Sequence, residues 1–243
     1  MAKQQALRQW RVEDSMELYG IGTWGAGYFN ISENGEVVVS PHGRSGPQIP
    51  LLEVIAGLRE RGYDMPVLLR VENILSSRIA KIHESFRKAI KELGYKGEYR
   101  GVFPIKVNQQ QQVVDKIAQF GARYHHGLEV GSKAELIAAV SLMHDTEACI
   151  VCNGYKDAEF IDLGLWAKRL GFNVFFVLEM PGELEILIER SKALNIRPNI
   201  GVRTKLAVKA GGHWTDSGGE RSTFGLAPSQ VIDVIDYLKG HDM

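Results

Sequence analysis

At 243 residues the chain can bury a sizeable core, either as one α/β barrel or as two smaller domains. Apolar residues make up 44% and charged residues 24%, and 29 Lys and Arg balance 29 Asp and Glu, so no overall field draws the chain toward nucleic acid or an anionic membrane. Apolar runs such as 174–178 are too short to span a bilayer, residues 1–17 lack the apolar core of a secretory signal, and two cysteines, Cys149 and Cys152, build no disulfide framework; a cytoplasmic protein with reduced thiols is expected.

Residues 1–50 read as a segment of their own. A short, helical arm precedes an alternating stretch around Tyr28 to Ile31, then Glu33-Asn34-Gly35-Glu36, then Val37-Val38-Val39. Asn-Gly between two β-prone runs predicts a β-hairpin whose turn positions both accept positive φ. From 51 to 243 the pattern changes to short apolar runs alternating with amphipathic stretches. Strands are predicted at 66–70, 99–105, 127–130, 148–152, 173–178 and 199–203. Helices are predicted at 51–62, 73–94, 108–121, 132–142, 157–170, 182–195 and 228–239. Asp157, Gly182 and Pro228 sit at expected helix starts, and Gly94, Gly121 and Gly171 at expected stops. Strands alternating with helices predict parallel pairing through right-handed crossovers. No Gly-x-Gly-x-x-Gly joins a strand to a helix, which favours a (β/α) barrel over a dinucleotide-binding sheet. Eight strands close such a barrel and six are counted, so an incomplete barrel is expected.

Chemistry on a parallel barrel is built at the C-terminal ends of its strands. Those ends carry Arg70, Lys106, Glu129, Asn153, Glu179 and Arg203. Strand ends also meet solvent and are polar for that reason alone. Lys106 stands apart, because it follows the apolar run Gly101-Val102-Phe103-Pro104-Ile105 and precedes a helix start. Partial desolvation there would favour the neutral amine, the form that attacks an aldehyde to make a Schiff base. A lysine that snorkels past the barrel rim is the commoner arrangement.

Val102-Phe103-Pro104-Ile105-Lys106-Val107-Asn108 resembles the cofactor-lysine motif of the ornithine, diaminopimelate and arginine decarboxylases, and with Gly101 and Gln109 it most resembles the biosynthetic arginine group. Further stretches agree: Gly127-Leu128-Glu129-Val130-Gly131-Ser132-Lys133, Cys152-Asn153-Gly154-Tyr155-Lys156-Asp157, Gly201-Val202-Arg203-Thr204-Lys205, and Ser222-Thr223-Phe224-Gly225-Leu226. The resemblance implies an alanine-racemase-like (β/α)8 barrel and decarboxylation of L-arginine to agmatine in polyamine synthesis. It implies pyridoxal phosphate as a Schiff base on Lys106, with Glu129 near that bond, Arg203 hydrogen-bonding in the cofactor pocket, and Asn153 and Glu179 lining the same face. The Ser222 to Gly225 stretch is expected to shape a loop. Magnesium and a homo-oligomeric complete enzyme are implied as well. The family's ring-stacking histidine, phosphate-binding glycine loop, pyridine-nitrogen partner and C-terminal β domain would all follow Met243. The chain is therefore expected to be an N-terminal part that lacks turnover alone and exposes apolar surface where a barrel closes.

Other signals are set aside. Cys149 and Cys152 have redox-motif spacing, but on a strand they face opposite sides, so a core role is expected for both. His125 and His126 are adjacent and cannot ligate one metal together from a strand; they are expected at the rim or in packing. Gly211-Gly212-His213 and Gly218-Gly219-Glu220 flank Trp214 in a long loop expected near the site. The rival readings are a decarboxylase of the same fold acting on ornithine, lysine or diaminopimelate, a non-catalytic partner-binding homologue, and a phosphate- or flavin-binding barrel. Lys106 argues against the non-catalytic reading, since partner binding needs no strand-end amine.

Overall fold

The computed structural model describes residues 9–43, 46–205 and 222–241. The chain divides into two compact units, Met1–Ile82 and His83–Met243.

The first unit begins with helices α1 (Val12–Leu18) and α2 (Ile21–Trp24). An antiparallel sheet follows, made of β1 (Phe29–Ile31), β2 (Val37–Val39) and β3 (Ile49–Pro50) in that order. The hairpin between β1 and β2 closes with a turn other than the expected one. Ser32 N–H donates to the Glu36 carbonyl at 2.8 Å and Gly35 N–H to the Ser32 carbonyl at 2.9 Å. That leaves a three-residue loop in which Gly35, at φ 81°, is left-handed and Asn34 is not. Only the last residue of such a loop needs positive φ, which is why glycine stands there. Helix α3 (Leu51–Glu60) packs on β2 and β3, so the stretch after Pro50 joins this unit. Helix α4 (Glu72–Leu93) carries the chain across the division. In its first turns Ser77 Oγ lies 2.8 Å from the Tyr28 hydroxyl.

The strand expected at 66–70 does not form. Leu68 is 75% exposed, and the segment pairs with neither sheet. Apolar content favours a strand only where a partner edge is offered, and Pro66 brings no N–H of its own. Arg70 therefore ends no strand, and the row of six polar strand ends becomes five.

The second unit alternates β4 (Val102–Pro104), α5 (Gln111–Gly121), β5 (Gly127–Val130), α6 (Lys133–Leu142), β6 (Cys149–Cys152), α7 (Ala158–Arg169), β7 (Asn173–Leu178), α8 (Gly182–Leu194), β8 (Asn199–Val202) and α9 (Pro228–Gly240). Strand β4 is shorter than the predicted 99–105, because Pro104 ends its ladder and residues 105–107 coil into a 3₁₀ turn. All four pairings are parallel and the strands lie in chain order, β4-β5-β6-β7-β8. A doubly wound sheet reverses its strand order once. The unbroken order here is that of a (β/α) barrel, and Thr204 continues it by bridging in parallel to Leu226. The long loop predicted around Trp214 lies outside the described residues.

One face of this sheet is sealed by helices. Leu128, Ile150, Val174, Phe176 and Leu178 are fully buried on it, each contributing about 1.5–3 kcal/mol. Gly164 lets α7 approach closely, since a Cβ there would stand 2.6 Å from the Phe176 ring. The alternate residues Val151, Phe175 and Val177 are half-buried on the opposite, inner face. The cysteines divide as expected: Cys149 is half-buried and Cys152 buried, its thiol pushed up to about 12 by desolvation. A thiol so held is not a redox nucleophile.

Two histidines close the N-terminal end of the sheet, opposite the polar strand ends. His83, 1% exposed, sits 2.9 Å from His126 Nδ1 and stacks on Tyr124 at 4.7 Å. His125 takes the left-handed cap before β5 and pairs with Asp145 at 2.9 Å. Burial, and then the neighbouring His83, lowers His126 to about 4. Burial, with Arg87 adding to it, lowers His83 too. An unfolded chain binds protons on these rings at about pH 6.5. Between that pH and about 4 the unfolded state therefore holds more protons, and stability is complete above the window and lost on acidification through it. Urea unfolding at pH 7 and pH 4.5 should differ by on the order of 1–2 kcal/mol from His126, after discounting for its partial exposure, with His83 acting in the same direction. His126→Gln should flatten that slope, and an unchanged slope would remove the histidines as its cause.

Candidate functional site

Five strand ends converge on one cavity of about 500 Å³ at the C-terminal edge of the sheet. It is lined by Val102, Pro104 and Val177 below and by Lys106, Glu129, Asn153, Glu179 and Arg203 at the strand ends. Parallel pairing in register places them together. Pro104 pairs with Glu129, Glu129 with Val151 and Leu178 with Val202, so each strand stops at a similar level.

The polar residues form two groups, joined by hydrogen bonds and ion pairs. In the first, Lys106 Nζ lies 3.8 Å from Glu129 Oε1, and Asn153 Nδ2 donates to the same oxygen at 2.8 Å. Asn153 is held in turn by its backbone N–H, which donates to the Val130 carbonyl at 2.8 Å. In the second, Arg203 donates to Glu179 Oε1 at 3.0 Å, and its guanidinium lies over the Phe224 ring at 5.3 Å. Glu179 is 2% exposed, and its other carboxylate oxygen has no partner among the described residues.

One expectation fails here. Lys106 is 66% exposed at its side chain, so the partial desolvation expected of a strand-end lysine is absent. The cause is topological. Strand β4 is the edge of the described sheet, and Lys106 lies past its end on the 3₁₀ turn. At that exposure the Glu129 contact contributes at most about 1 kcal/mol to stability; its value is chemical, a carboxylate beside an amine.

The Ser222 to Gly225 stretch shapes a loop, as expected. Ser222 Oγ donates to the Phe224 carbonyl at 2.8 Å, and Gly225, at φ 96°, passes so close that a Cβ would lie 3.2 Å from the Arg203 carbonyl. Gly225 N–H donates to the Glu179 carbonyl at 3.0 Å, tying this loop to the end of β7. Its Phe224 ring also meets Tyr155 at 5.0 Å.

Sequence reasoning missed a buried ion pair beneath the site, Lys156 and Glu183, 3.2 Å apart. Lys156 stands in the Cys152 to Asp157 motif and Glu183 in the first turn of α8, but only docking of that helix brings them together. Among the described residues no group of three or more His, Cys, Asp and Glu is placed to hold a metal ion. No described helix is long and apolar enough to cross a membrane.

The donor set suits pyridoxal phosphate: a primary amine for an aldehyde, a carboxylate beside that amine, and amide and guanidinium donors around a cavity of ordinary ligand size. Comparison with known proteins agrees. Residues 79–241 match the family model described as pyridoxal-dependent decarboxylase, pyridoxal binding domain. The biosynthetic arginine decarboxylase of Gloeobacter violaceus is 44% identical over 237 residues, 98% of this chain and 37% of that protein. That of Aeromonas hydrophila is 45% identical over 236 residues, 96% of this chain and 37% of that protein. The crystal structure of the biosynthetic arginine decarboxylase from Campylobacter jejuni superposes with a TM-score of 0.79 at 36% identity, over 92% of this chain and 35% of that one. A diaminopimelate decarboxylase from M. jannaschi, at 20% identity and a TM-score of 0.65 over 88% of this chain and 44% of its own, shares the fold. The chain thus spans little more than a third of the length of the curated relatives it matches.

Proposed function

This chain belongs to the pyridoxal-dependent decarboxylases, and from that premise we propose that it supplies the part of the cofactor-binding barrel that carries Lys106, in an enzyme converting L-arginine to agmatine and carbon dioxide. The observation that carries this reading is the amine of Lys106 beside the Glu129 carboxylate, at the mouth of a cavity edged by five strand ends.

Each residue then has a task. Lys106 Nζ is the group that would hold the cofactor's aldehyde covalently. When bound, pyridoxal phosphate supplies a protonated ring that takes up the electron pair left behind as carbon dioxide departs. Glu129 sets its carboxylate 3.8 Å from Lys106 Nζ, beside the atom that would bond the cofactor. Asn153 fixes the orientation of that carboxylate by donating to Glu129 Oε1. Arg203 presents a guanidinium held by Glu179 on one side and by the Phe224 face on another. Lys106 Nζ, once free of the aldehyde, is also placed to return a proton to the product.

Arginine is favoured over ornithine, lysine and diaminopimelate because the relatives sharing 44–45% identity carry the arginine decarboxylase name. A cytoplasmic, homo-oligomeric enzyme that uses magnesium completes the reading, supported by the family resemblance. The substrate is tested by measuring carbon dioxide release from the protein carrying this chain with each of the four amino acids. Release from arginine at least tenfold faster than from the others is expected; equal or faster release from another would reassign the substrate.

A further inference from the structure

The two polar groups of the site share no hydrogen bond with each other among the described residues, yet decarboxylation needs both set against one cofactor. Glu183 lies where it can set them. It is 5% exposed in the first turn of α8, and its carboxylate reaches two backbone segments. Oε2 accepts from the backbone N–H of Glu179 at 2.8 Å, and Oε1 accepts from the backbone N–H of Lys156 at 3.0 Å. Lys156, 4% exposed, returns its ammonium to Glu183 Oε1 at 3.2 Å and donates to the Gly154 carbonyl. Gly154 follows Asn153 directly, and its backbone is tightly constrained, with φ at 73° and a position where an added Cβ would stand 2.6 Å from the Gly131 carbonyl oxygen.

We propose that the buried Lys156–Glu183 pair positions the site, fixing the Glu179–Arg203 group relative to the Lys106–Glu129–Asn153 group. This rests on the reading of Lys106 as the cofactor lysine. Stability alone is a poor reason for the pair, because a well-packed apolar replacement of a buried ion pair is commonly as stable or more so. What the pair supplies, and an apolar one cannot, is directional bonding to the two loops that carry Asn153 and Glu179. Glutamine at 183 keeps the size of the side chain but turns its amide N–H₂ toward one of these backbone N–H groups or the ammonium, so one contact becomes donor against donor. The pair touches neither amine nor carboxylate of the first group, and its effect passes through the loops.

The test uses the protein carrying this chain, loaded with pyridoxal phosphate, and compares wild type, Glu183→Gln and the paired variant Lys156→Met with Glu183→Leu. The paired variant leaves no lone buried charge and so guards against simple unfolding. Three quantities are read: the pH at which the visible absorption band of the lysine-bound cofactor titrates, the dissociation constant of the cofactor, and kcat against KM for arginine. Both variants are expected to shift the titration of the band, weaken cofactor binding, and lower kcat by about tenfold to 10²-fold with KM changed much less, the scale of a misplacement of about an ångström. A folded paired variant with wild-type band titration and kcat would overturn the inference and leave the cofactor assignment standing. A wild-type protein that shows no such band would overturn both.

Discussion

In the protein carrying this chain, Lys106→Ala is expected to lower arginine decarboxylation by at least on the order of 10²–10⁴-fold while leaving the fold intact. Among the described residues lining the cavity, Lys106 is the one amine, so on the proposed reading none of these neighbours would replace it in capturing the aldehyde or returning the proton. Its side chain is two-thirds exposed and its ion pair with Glu129 is long, so truncation should change stability by no more than about 1 kcal/mol. That contrast separates a chemical role from a packing role. Activity assays and urea denaturation on the same preparation check it. Retained turnover with normal stability would place the chemistry elsewhere.

The largest effect on stability is expected at Gly127. This residue opens β5, and its N–H donates to the Gly101 carbonyl at 2.8 Å. A Cβ built there would lie 1.9 Å from the Cys149 carbonyl oxygen and 2.8 Å from the Cys149 nitrogen. Both obstructing atoms are backbone of the neighbouring strand, so no side chain can swing aside. Gly127→Ala must push β5 from β6, against a spacing that hydrogen bonding holds near 4.8 Å. The cost should exceed about 3 kcal/mol, above the usual range for overpacking and a large share of a domain's total stability. Glu129 and Asn153 ride on these two strands, so the site should loosen with the sheet. A urea midpoint within error of wild type would show that the strands can part without cost.

The parts of this fold that were legible in the sequence are those dictated locally. The apolar alternation of β7, the Asp157 side chain capping α7 by accepting from Phe160 N–H at 2.9 Å, and the left-handed glycines after α4 and α7 all show in short windows. The site was legible for a related reason. In a parallel sheet with short strands, the residue just past each apolar run lands on one rim, so Lys106, Glu129, Asn153, Glu179 and Arg203 could be picked out before their distances were known. What escaped depends on contacts far apart in the chain. Residues 66–70 have strand composition but no edge to pair with, and Leu68 is left exposed. The openness of Lys106 follows from β4 standing at the edge of the described sheet, which no local pattern reports. Glu183 and Lys156 meet only because α8 docks over the loop after β6, and neither residue type at its position signals burial.

The central claim is that Lys106 binds the cofactor, and borohydride reduction of the protein in the presence of pyridoxal phosphate tests it most directly. Peptide mapping should find one stable pyridoxyl group, on Lys106, that is absent from Lys106→Ala. A label on Lys133, Lys156 or another lysine instead, or no label at all, would contradict the account.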